Sequence, residues 1–220
     1  MIPGVRLVLL GRQGAGKGTQ CTRLARHYIV PHISTGDMLR AAVREGTDFG
    51  RKAKEYMDAG ELLPDDVIVG IVGERLDGDD TFSRGYILDG FPRTVPQAEA
   101  LIDITTDAPL DAAVDLEVPE DIVIDRISNR RVCNDCGMNY STQSPPRYDW
   151  TCDNCGGDVV HRADDTPDAV RKRLDLYNKE TSPLIEWFVA RDLLITVDGL
   201  GSAEEVTNRL IEAIDHRTGR

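Results

Sequence analysis

A glycine-rich segment that directly follows a short apolar run constrains this sequence more than any other feature. Residues 5–10 are apolar except for Arg6 and of strand length, and residues 11–19 then read GRQGAGKGT. The order Gly11, four residues, Gly16 and Lys17 is the spacing of a P-loop. The glycines let backbone N–H groups converge on a phosphate, a helix N-terminus adds positive potential, and the lysine reaches the outer phosphates. A strand-to-helix turn that binds nothing is the alternative, which the accompanying lysine and strand disfavour.

Four further segments have the length and composition of strands, and helical patterns separate them: 32–34, 86–89, 113–118 and 193–198. Strands that alternate with helices indicate a parallel sheet covered on both faces, so the predicted class is an α/β, three-layer P-loop fold. Helix starts are marked by Thr166 before Pro167 and by the capping-box pair Ser202 and Glu205.

Two segments depart from this alternation. Residues 34–63 look wholly helical and contain no strand, whereas residues 129–165 are loop-rich and hold four cysteines. We interpret both as insertions that rise from the sheet, which leaves a core made of 1–33, 64–128 and 166–220.

Arginines cluster at positions where a phosphoryl-transfer enzyme needs positive charge. Arg93 follows a strand, at the sheet edge where open parallel sheets bind ligands, and Arg40 lies on a helix. Others flank the cysteine-rich segment: Arg126, Arg130, Arg131, Arg162, Arg171 and Arg173. Any one arginine is more often a solvated surface residue, so this assignment stays open. Asp89 ends a strand near the loop and is a candidate to hold magnesium-bound water, with a turn or helix-cap aspartate as the alternative.

The four clustered cysteines have the spacing of a metal site. Two Cys-x-x-Cys pairs are separated by fifteen residues: Cys133 and Cys136, then Cys152 and Cys155. Four thiolates in this arrangement fit tetrahedral zinc, and with every ligand position filled by protein the zinc would be structural. Two redox pairs or four idle thiols are the alternatives. Cys21 stands apart and is interpreted as a small helix residue.

Charge and hydropathy limit the classes of partner. The formal net charge is −12, which argues against nonspecific binding of nucleic acid. No apolar run approaches the length of a membrane span, and the first residues lack the pattern of a signal peptide, so we expect a cytoplasmic protein. No long apolar heptad pattern is visible, and a monomer is expected.

Five segments together resemble one family: 11–20 (GRQGAGKGTQ), 34–40 (STGDMLR), 89–97 (DGFPRTVPQ), 126–136 (RISNRRVCNDC) and 162–173 (RADDTPDAVRKR). The sequence resembles the adenylate kinases, in the long form with a zinc-bearing lid. That family places a glycine before the threonine of the loop, which accounts for Gly18 and Thr19. The resemblance implies the reaction ATP + AMP = 2 ADP, in adenine nucleotide homeostasis and purine salvage. Mg²⁺ would accompany ATP, the zinc would be structural, and the partners would be ATP, AMP and ADP.

The resemblance also implies site residues, with 34–63 as the AMP-binding insertion and 129–165 as the lid. ATP would be bound by Gly14, Ala15, Gly16, Lys17, Gly18, Thr19, Arg126, Arg130, Asn139, Tyr140 and Gly201. AMP would be bound by Thr35, Gly36, Arg40, Glu61, Leu62, Leu63, Gly90, Phe91, Pro92, Arg93, Gln97, Arg162 and Arg173. The catalytic residues would be Lys17, Arg93, Arg130, Arg162 and Arg173, and Asp89 would orient magnesium-bound water. Gln13 departs from the family, which frequently has proline there, and the lid is slightly short at 144–147.

Other functions remain as alternatives. Another nucleoside monophosphate kinase, using GTP with AMP or acting on UMP or CMP, is the rival enzyme, although the long lid, Thr35 and Gln97 favour AMP. A non-enzymatic zinc-ribbon nucleotide-binding module with an inert P-loop is the rival from another class. A ribbon that binds nucleic acid should be basic and aromatic around its cysteines, whereas this one also carries Asp135, Asp149 and Asp153.

Overall fold

A computed structural model describes residues 4–162 and 165–220. Residues 1–3 of the expected core and residues 163–164 of the expected lid, within the RADDTPDAVRKR segment, lie outside the described residues. The strands are β1 (Arg6–Leu10), β2 (His32–Ser34), β3 (Tyr86–Asp89), β4 (Ala112–Glu117), β5 (Arg130–Cys133), β6 (Asn139–Ser141), β7 (Val159–Val160) and β8 (Leu194–Asp198). The helices are α1 (Lys17–Tyr28), α2 (Thr35–Glu45), α3 (Asp48–Ala59), α4 (Asp65–Leu76), α5 (Asp79–Arg84), α6 (Val95–Ile104), α7 (Glu120–Asn129), α8 (Pro167–Leu176), α9 (Pro183–Val189) and α10 (Ala203–Thr218), with a π-helical turn at Tyr177–Thr181.

A five-stranded parallel sheet with strand order β2-β3-β1-β4-β8 forms the centre of the molecule. Strand β1 lies between β3 and β4, with Leu9 paired to Asp89 and Leu10 to Asp115. The carboxyl ends of these strands therefore meet at one edge, and the glycine-rich loop leaves β1 there. The predicted α/β P-loop class and its five core strands are confirmed.

Helices cover both faces of the sheet because successive side chains of β1 point to opposite sides. Leu7 and Leu9 pack in one buried cluster with residues of α1, α7, α8 and α10. Val8 and Leu10 pack in a second cluster with residues of α4, α6 and α9. Both faces of the sheet are buried under helices, as expected for a parallel sheet whose strands are continuous apolar runs.

The first inserted segment is a pair of packed helices, α2 and α3. The Ser34 side chain caps α2 by accepting a hydrogen bond from the Asp37 N–H, at 3.3 Å. Helix α3 ends at Ala59, and the following Gly60 has a left-handed φ of 74°, as is common after a helix. The expectation of a wholly helical segment is therefore corrected at both ends, since Ser34 belongs to β2 and the chain from Gly60 to Pro64 is not helical.

The second inserted segment contains more regular structure than its loop-rich sequence suggests. Strands β5, β6 and β7 form a three-stranded antiparallel sheet in the order β6-β5-β7. Each strand has only two to four residues, too few to show an alternating pattern. A small cluster of Cys133, Cys152 and Val159, with Tyr140 packed against it, is the buried part of this unit.

The predicted helix starts are confirmed. Thr166 caps α8 ahead of Pro167, and Ser202 forms a capping box with Glu205 on α10. Helix α1 begins at Lys17, because the loop turns directly into the helix after Gly16. Within the described chain, no helix is both long and apolar enough to cross a bilayer.

Candidate active site

A cleft of about 1190 Å³ opens at the carboxyl edge of the sheet, between the glycine-rich loop and the two inserted segments. With one exception, the residues expected to bind ATP or AMP all line it. The exception is Phe91, whose side chain is 1% exposed and packs in the core. Residues that lie far apart in the sequence thus surround a common space.

The glycine-rich loop holds Lys17 at the floor of this cleft. The Lys17 Nζ donates to the carbonyl oxygens of Gly11 and Arg12, at 2.7 and 2.9 Å. Gly14 and Gly16 have φ of 85° and 103°, which side-chain-bearing residues rarely adopt. Desolvation lowers the pKa of Lys17, and the nearby positive charges of Arg93 and Arg130 oppose its protonation further, although Asp89 raises it. Binding of an anionic ligand would therefore stabilise the protonated form of this lysine.

Asp89 faces the loop from the end of β3. Its Oδ2 lies 3.5 Å from His32 Nε2 and 3.7 Å from the position that a Cβ on Gly18 would occupy. Burial acts to raise the pKa of Asp89, but the neighbouring His32 and the charges of Lys17 and Arg93 outweigh it and lower the pKa. The carboxylate is therefore ionised beside the phosphate loop. Since hard cations prefer oxygen ligands, this geometry fits Mg²⁺ or its bound water.

Arg93 and its neighbours form the wall beneath the first inserted segment. The Arg93 side chain donates to the Gly90 carbonyl at 2.8 Å, and Thr35 Oγ1 donates to the same oxygen at 2.9 Å. Desolvation lowers the pKa of Arg93, and the positive charges of Arg173 and Arg40 lower it further, whereas the negative charge of Asp89 raises it. Three guanidinium groups that repel one another in one wall form a site for a polyanion.

Gln97 has a fixed orientation in this wall. Its Oε1 accepts the Arg93 N–H at 2.8 Å, and its Nε2 donates to Asp65 at 2.6 Å. The two partners distinguish the amide oxygen from the nitrogen, so the side chain presents a defined pattern to a bound base.

The opposite wall comes from α7 and the second inserted segment, residues 129–165, which we call the lid segment. Arg126 donates to the carbonyls of Ala15 and Gly199, at 3.1 and 3.2 Å, and so joins the phosphate loop to the segment before Gly201. Asn139 Nδ2 lies 3.6 Å from the position of a Cβ on Gly18, so the lid segment covers the loop. Arg162 and Arg173 also line the cleft.

The four clustered cysteines have the geometry of a metal site. The Sγ atoms of Cys133 and Cys155, and those of Cys136 and Cys152, are 3.5 Å apart, and all four lie within 4.8 Å of one another. Zn–S bonds of about 2.3 Å place the sulfurs of a tetrahedral site roughly 3.8 Å apart, so the residues fit zinc. Tyr140 donates its hydroxyl to Cys152 Sγ at 3.4 Å, which adds a hydrogen bond to a ligand atom.

Several cleft residues were not anticipated from the sequence. Arg44 and Lys54 line the cleft from α2 and α3, and only the four-residue spacing of Arg44 from Arg40 could have indicated its orientation. Behind the cleft wall, Asp165 has a fully buried carboxylate that accepts hydrogen bonds from Arg130 and Gln13. It belongs to the motif segment 162–173, but its role as an acceptor could not be read there, since its partners lie 35 and 152 residues away.

Comparisons with known proteins agree with this geometry. The family model described as adenylate kinase matches residues 9–193. A protein named adenylate kinase from Methanosarcina barkeri is 50% identical over 205 residues, covering 92% of this chain and 94% of the relative. Proteins of the same name from Staphylococcus epidermidis and Thermodesulfovibrio yellowstonii are 44% and 47% identical, covering 96% and 97% of this chain and 100% of each relative. The similarity thus spans the core and both inserted segments.

Proposed function

Because this chain belongs to the adenylate kinase family, we propose that its cleft is where a phosphoryl group passes from ATP to AMP to give two ADP. The chain is a nucleoside monophosphate kinase, that is, a phosphotransferase. One observation carries the assignment of the site: a P-loop lysine and arginines from four separate parts of the chain converge on one cleft.

The loop and α7 would bind ATP. The residues proposed to hold its phosphates are 14–19, with Arg126 and Arg130 beside them. Backbone N–H groups and a helix N-terminus bind a polyphosphate without a rearrangement. Asn139 and Tyr140 would cover the nucleotide from the lid segment, and the backbone near Gly201 would contact the adenine.

AMP would occupy the other end of the cleft. Thr35, Gly36, Arg40, residues 61–63, Gly90, Pro92, Arg93 and Gln97 are proposed to hold it, with segment 34–63 acting as the AMP-binding domain. Arg93, Arg40 and Arg173 supply the charge for the phosphate. The oriented amide of Gln97 supports selectivity for adenine. A base with a different pattern of donors and acceptors would leave the amide N–H or oxygen without a hydrogen-bond partner, which weakens its binding.

Transfer would proceed in line, with no covalent intermediate on the enzyme. Lys17, Arg93, Arg130, Arg162 and Arg173 would neutralise the charge on the transferring group in a site that excludes water. Magnesium bound with ATP would add charge neutralisation at the β- and γ-phosphates, and Asp89 would orient its water. Cover by the lid segment 129–165 keeps water from accepting the phosphoryl group.

A coupled assay with ATP as donor and AMP, UMP, CMP and GMP as separate acceptors tests this function. We expect turnover with AMP and at least a hundredfold lower kcat/KM with the other three, since mismatched hydrogen-bonding groups are strongly rejected. Preference for UMP or CMP would reassign the chain to another nucleoside monophosphate kinase. Replacing ATP by GTP in the same assay measures the choice of donor.

The cysteine site is proposed to hold one structural zinc that keeps the lid segment folded. Because the buried cluster of this segment is so small, the metal would supply most of its stability. We expect about one zinc per chain by elemental analysis. Chelation should increase amide hydrogen exchange in residues 130–160 and leave β1, β3 and β4 protected. Absence of zinc, or exchange that chelation does not alter, would contradict the proposal.

We further propose that the protein works as a cytoplasmic monomer in adenine nucleotide homeostasis. Four cysteines that cluster without forming disulfides are typical of a reducing compartment, which supports the location. Sedimentation at micromolar concentration should give a mass near 24.3 kDa. The net charge of −12 predicts no shift of DNA or RNA in a gel.

A further inference from the structure

Gln13 makes a contact that joins the tip of the phosphate loop to the end of the lid segment. Its Nε2 donates a hydrogen bond to Asp165 Oδ1 at 3.1 Å, across 152 residues of sequence. Gln13 also lines the cleft. Proline, which is frequent at this position in the family, has no side-chain donor and could not make this bond.

The acceptor of that bond is a buried carboxylate with a second, cationic partner. The Asp165 side chain is 0% exposed, and Arg130 Nε donates to its Oδ2 at 2.7 Å while Arg130 Nη2 pairs with Oδ1. A bidentate pair of this kind fixes the plane of a guanidinium group. Arg130 is 17% exposed, lines the cleft, and lies near enough to Lys17 to lower its pKa.

The rest of the loop is also fixed against the helix that leads to Arg130. A Cβ on Gly14 would come within 2.7 Å of Ile127 Cγ1 and 2.8 Å of the Val123 carbonyl oxygen, so loop and α7 are in direct contact. Arg126, on the same helix, donates to the Ala15 carbonyl. Gln13 adds a contact of a different kind, because its side chain reaches Asp165, where the chain returns from the lid segment to the core.

The orientation of the Gln13 amide is set by Asp165. Among the described residues its Oε1 is buried and has no hydrogen-bond partner. Turning the amide over would place that oxygen against the carboxylate, which repels it. The charged hydrogen bond to Asp165 therefore decides the orientation even though the oxygen is left unsatisfied.

We propose that Gln13 is a positioning residue that holds Asp165, and through it the guanidinium group of Arg130, against the phosphate loop for phosphoryl transfer. The inference rests on the proposed function of the cleft. Gln13 does not touch the reacting atoms. It limits the ways in which the Asp165–Arg130 pair can move while the arginine faces the transferring group.

The test is steady-state kinetics of Gln13→Met, Asp165→Asn and the double variant. Methionine keeps the length of the side chain and removes the donor. Because Arg130 would act on the group in transfer, we expect kcat to fall roughly tenfold in Gln13→Met, with KM for AMP changed less than twofold. In the double variant the Gln13 substitution should have almost no further effect beyond that of Asp165→Asn.

Asn178→Ala is the matched control. It removes a 3.4 Å hydrogen bond from Arg12, the neighbouring loop residue, to a part of the chain outside the lid segment, and should leave kcat unchanged. Circular dichroism and Tm within about 2 °C of the wild type establish that each variant folds.

The outcomes separate this inference from the function it rests on. If wild-type protein does not phosphorylate AMP, the proposed function is wrong. If the wild type is active and Gln13→Met matches it, or the effects of Gln13→Met and Asp165→Asn simply multiply, the positioning role is wrong. A parallel rise in KM for AMP, or loss of the fold in Gln13→Met while Asp165→Asn stays folded, would show a general structural role and would likewise overturn it.

Discussion

At the scale of the single residue, Lys17 is a cation whose surroundings partly oppose its charge. Its hydrogen bonds are to backbone carbonyls of its own loop, and desolvation together with two arginines lowers its pKa. The Lys17→Ala variant should therefore retain the fold and lose at least about a hundredfold in kcat, the magnitude typical of one preorganised charged group. Activity of the variant in the coupled assay, with its Tm, measures both effects.

Lys179→Ala is the control for that substitution. Lys179 is an exposed lysine paired with Glu180 and does not line the cleft, so its removal should alter neither kcat nor Tm measurably. Retained activity in Lys17→Ala would exclude the loop as the phosphate site.

Asp115 is a residue whose ionisation opposes folding. It lies on β4 with 7% exposure, and burial, reinforced by Glu117, raises its pKa to about 6 against the opposing charges of Lys17 and Arg12. Its pKa in the unfolded chain is about 3.9, so the native state binds the proton more tightly. Stability from this group is greatest below pH 4 and falls as the pH rises through about 6.

Asp115→Asn should therefore stabilise the protein at pH 8 and have little effect near pH 4. The shift corresponds to about 3 kcal/mol, and we expect a gain of about 2 because asparagine remains a buried polar group. Urea unfolding at both pH values measures the difference, with the exposed Asp107→Asn as control. An equal effect at the two pH values would contradict the assignment to ionisation.

At the scale of elements, α2 and α3 pack closely because one position has no side chain. A Cβ on Gly50 would lie 2.0 Å from the Ala42 carbonyl oxygen and 2.8 Å from the Val43 nitrogen. Gly50→Ala must therefore push the two helices apart, at a cost of about 1–3 kcal/mol in stability. Because Arg40 lies on α2, we expect KM for AMP to rise about tenfold while KM for ATP stays within twofold.

Gly70→Ala separates this effect from the general consequences of replacing a helical glycine. Gly70 lies in α4, and among the described residues no atom beyond its own helix backbone and chain neighbours lies within 4 Å of the position of its Cβ. Alanine there should be neutral or slightly stabilising. If Gly50→Ala also leaves both KM values unchanged, the packing of α2 on α3 does not shape the proposed AMP site.

Elements that depend on local chemistry could be predicted from the sequence, whereas those that depend on distant partners could not. The apolar run before Gly11, the Thr166 cap and the Ser202 capping box are each encoded within a few residues. The lid strands are too short to carry a pattern and are defined by their pairing. The Gln13 contact needs the folded chain to bring residue 165 to the loop, and Phe91, within a site motif, packs in a core cluster whose other members come from distant parts of the chain.

At the scale of the whole molecule, the cleft lies between parts that must separate for nucleotides to pass. Asn139 covers the phosphate loop at Gly18, and Gly60, at the end of α3, has Lys172 of α8 within 3.5 Å of its Cβ position. Cover on both sides protects a reactive phosphoryl group from water, but it also obstructs the release of products. The same contacts that support chemistry therefore oppose turnover.

Opening of the cleft should consequently limit kcat, and the dependence of kcat on solvent viscosity tests this. If movement of the lid segment 129–165 through solvent is the slow step, doubling the viscosity with sucrose should lower kcat about twofold. Lys17→Ala provides the control, because its slowed chemistry should make kcat independent of viscosity. Stopped-flow measurement of lid motion with a bisubstrate mimic, in which five phosphates bridge two adenosines, gives the rate directly. Wild-type turnover that is insensitive to viscosity, together with a chemical step slower than lid motion, would show that chemistry limits the rate.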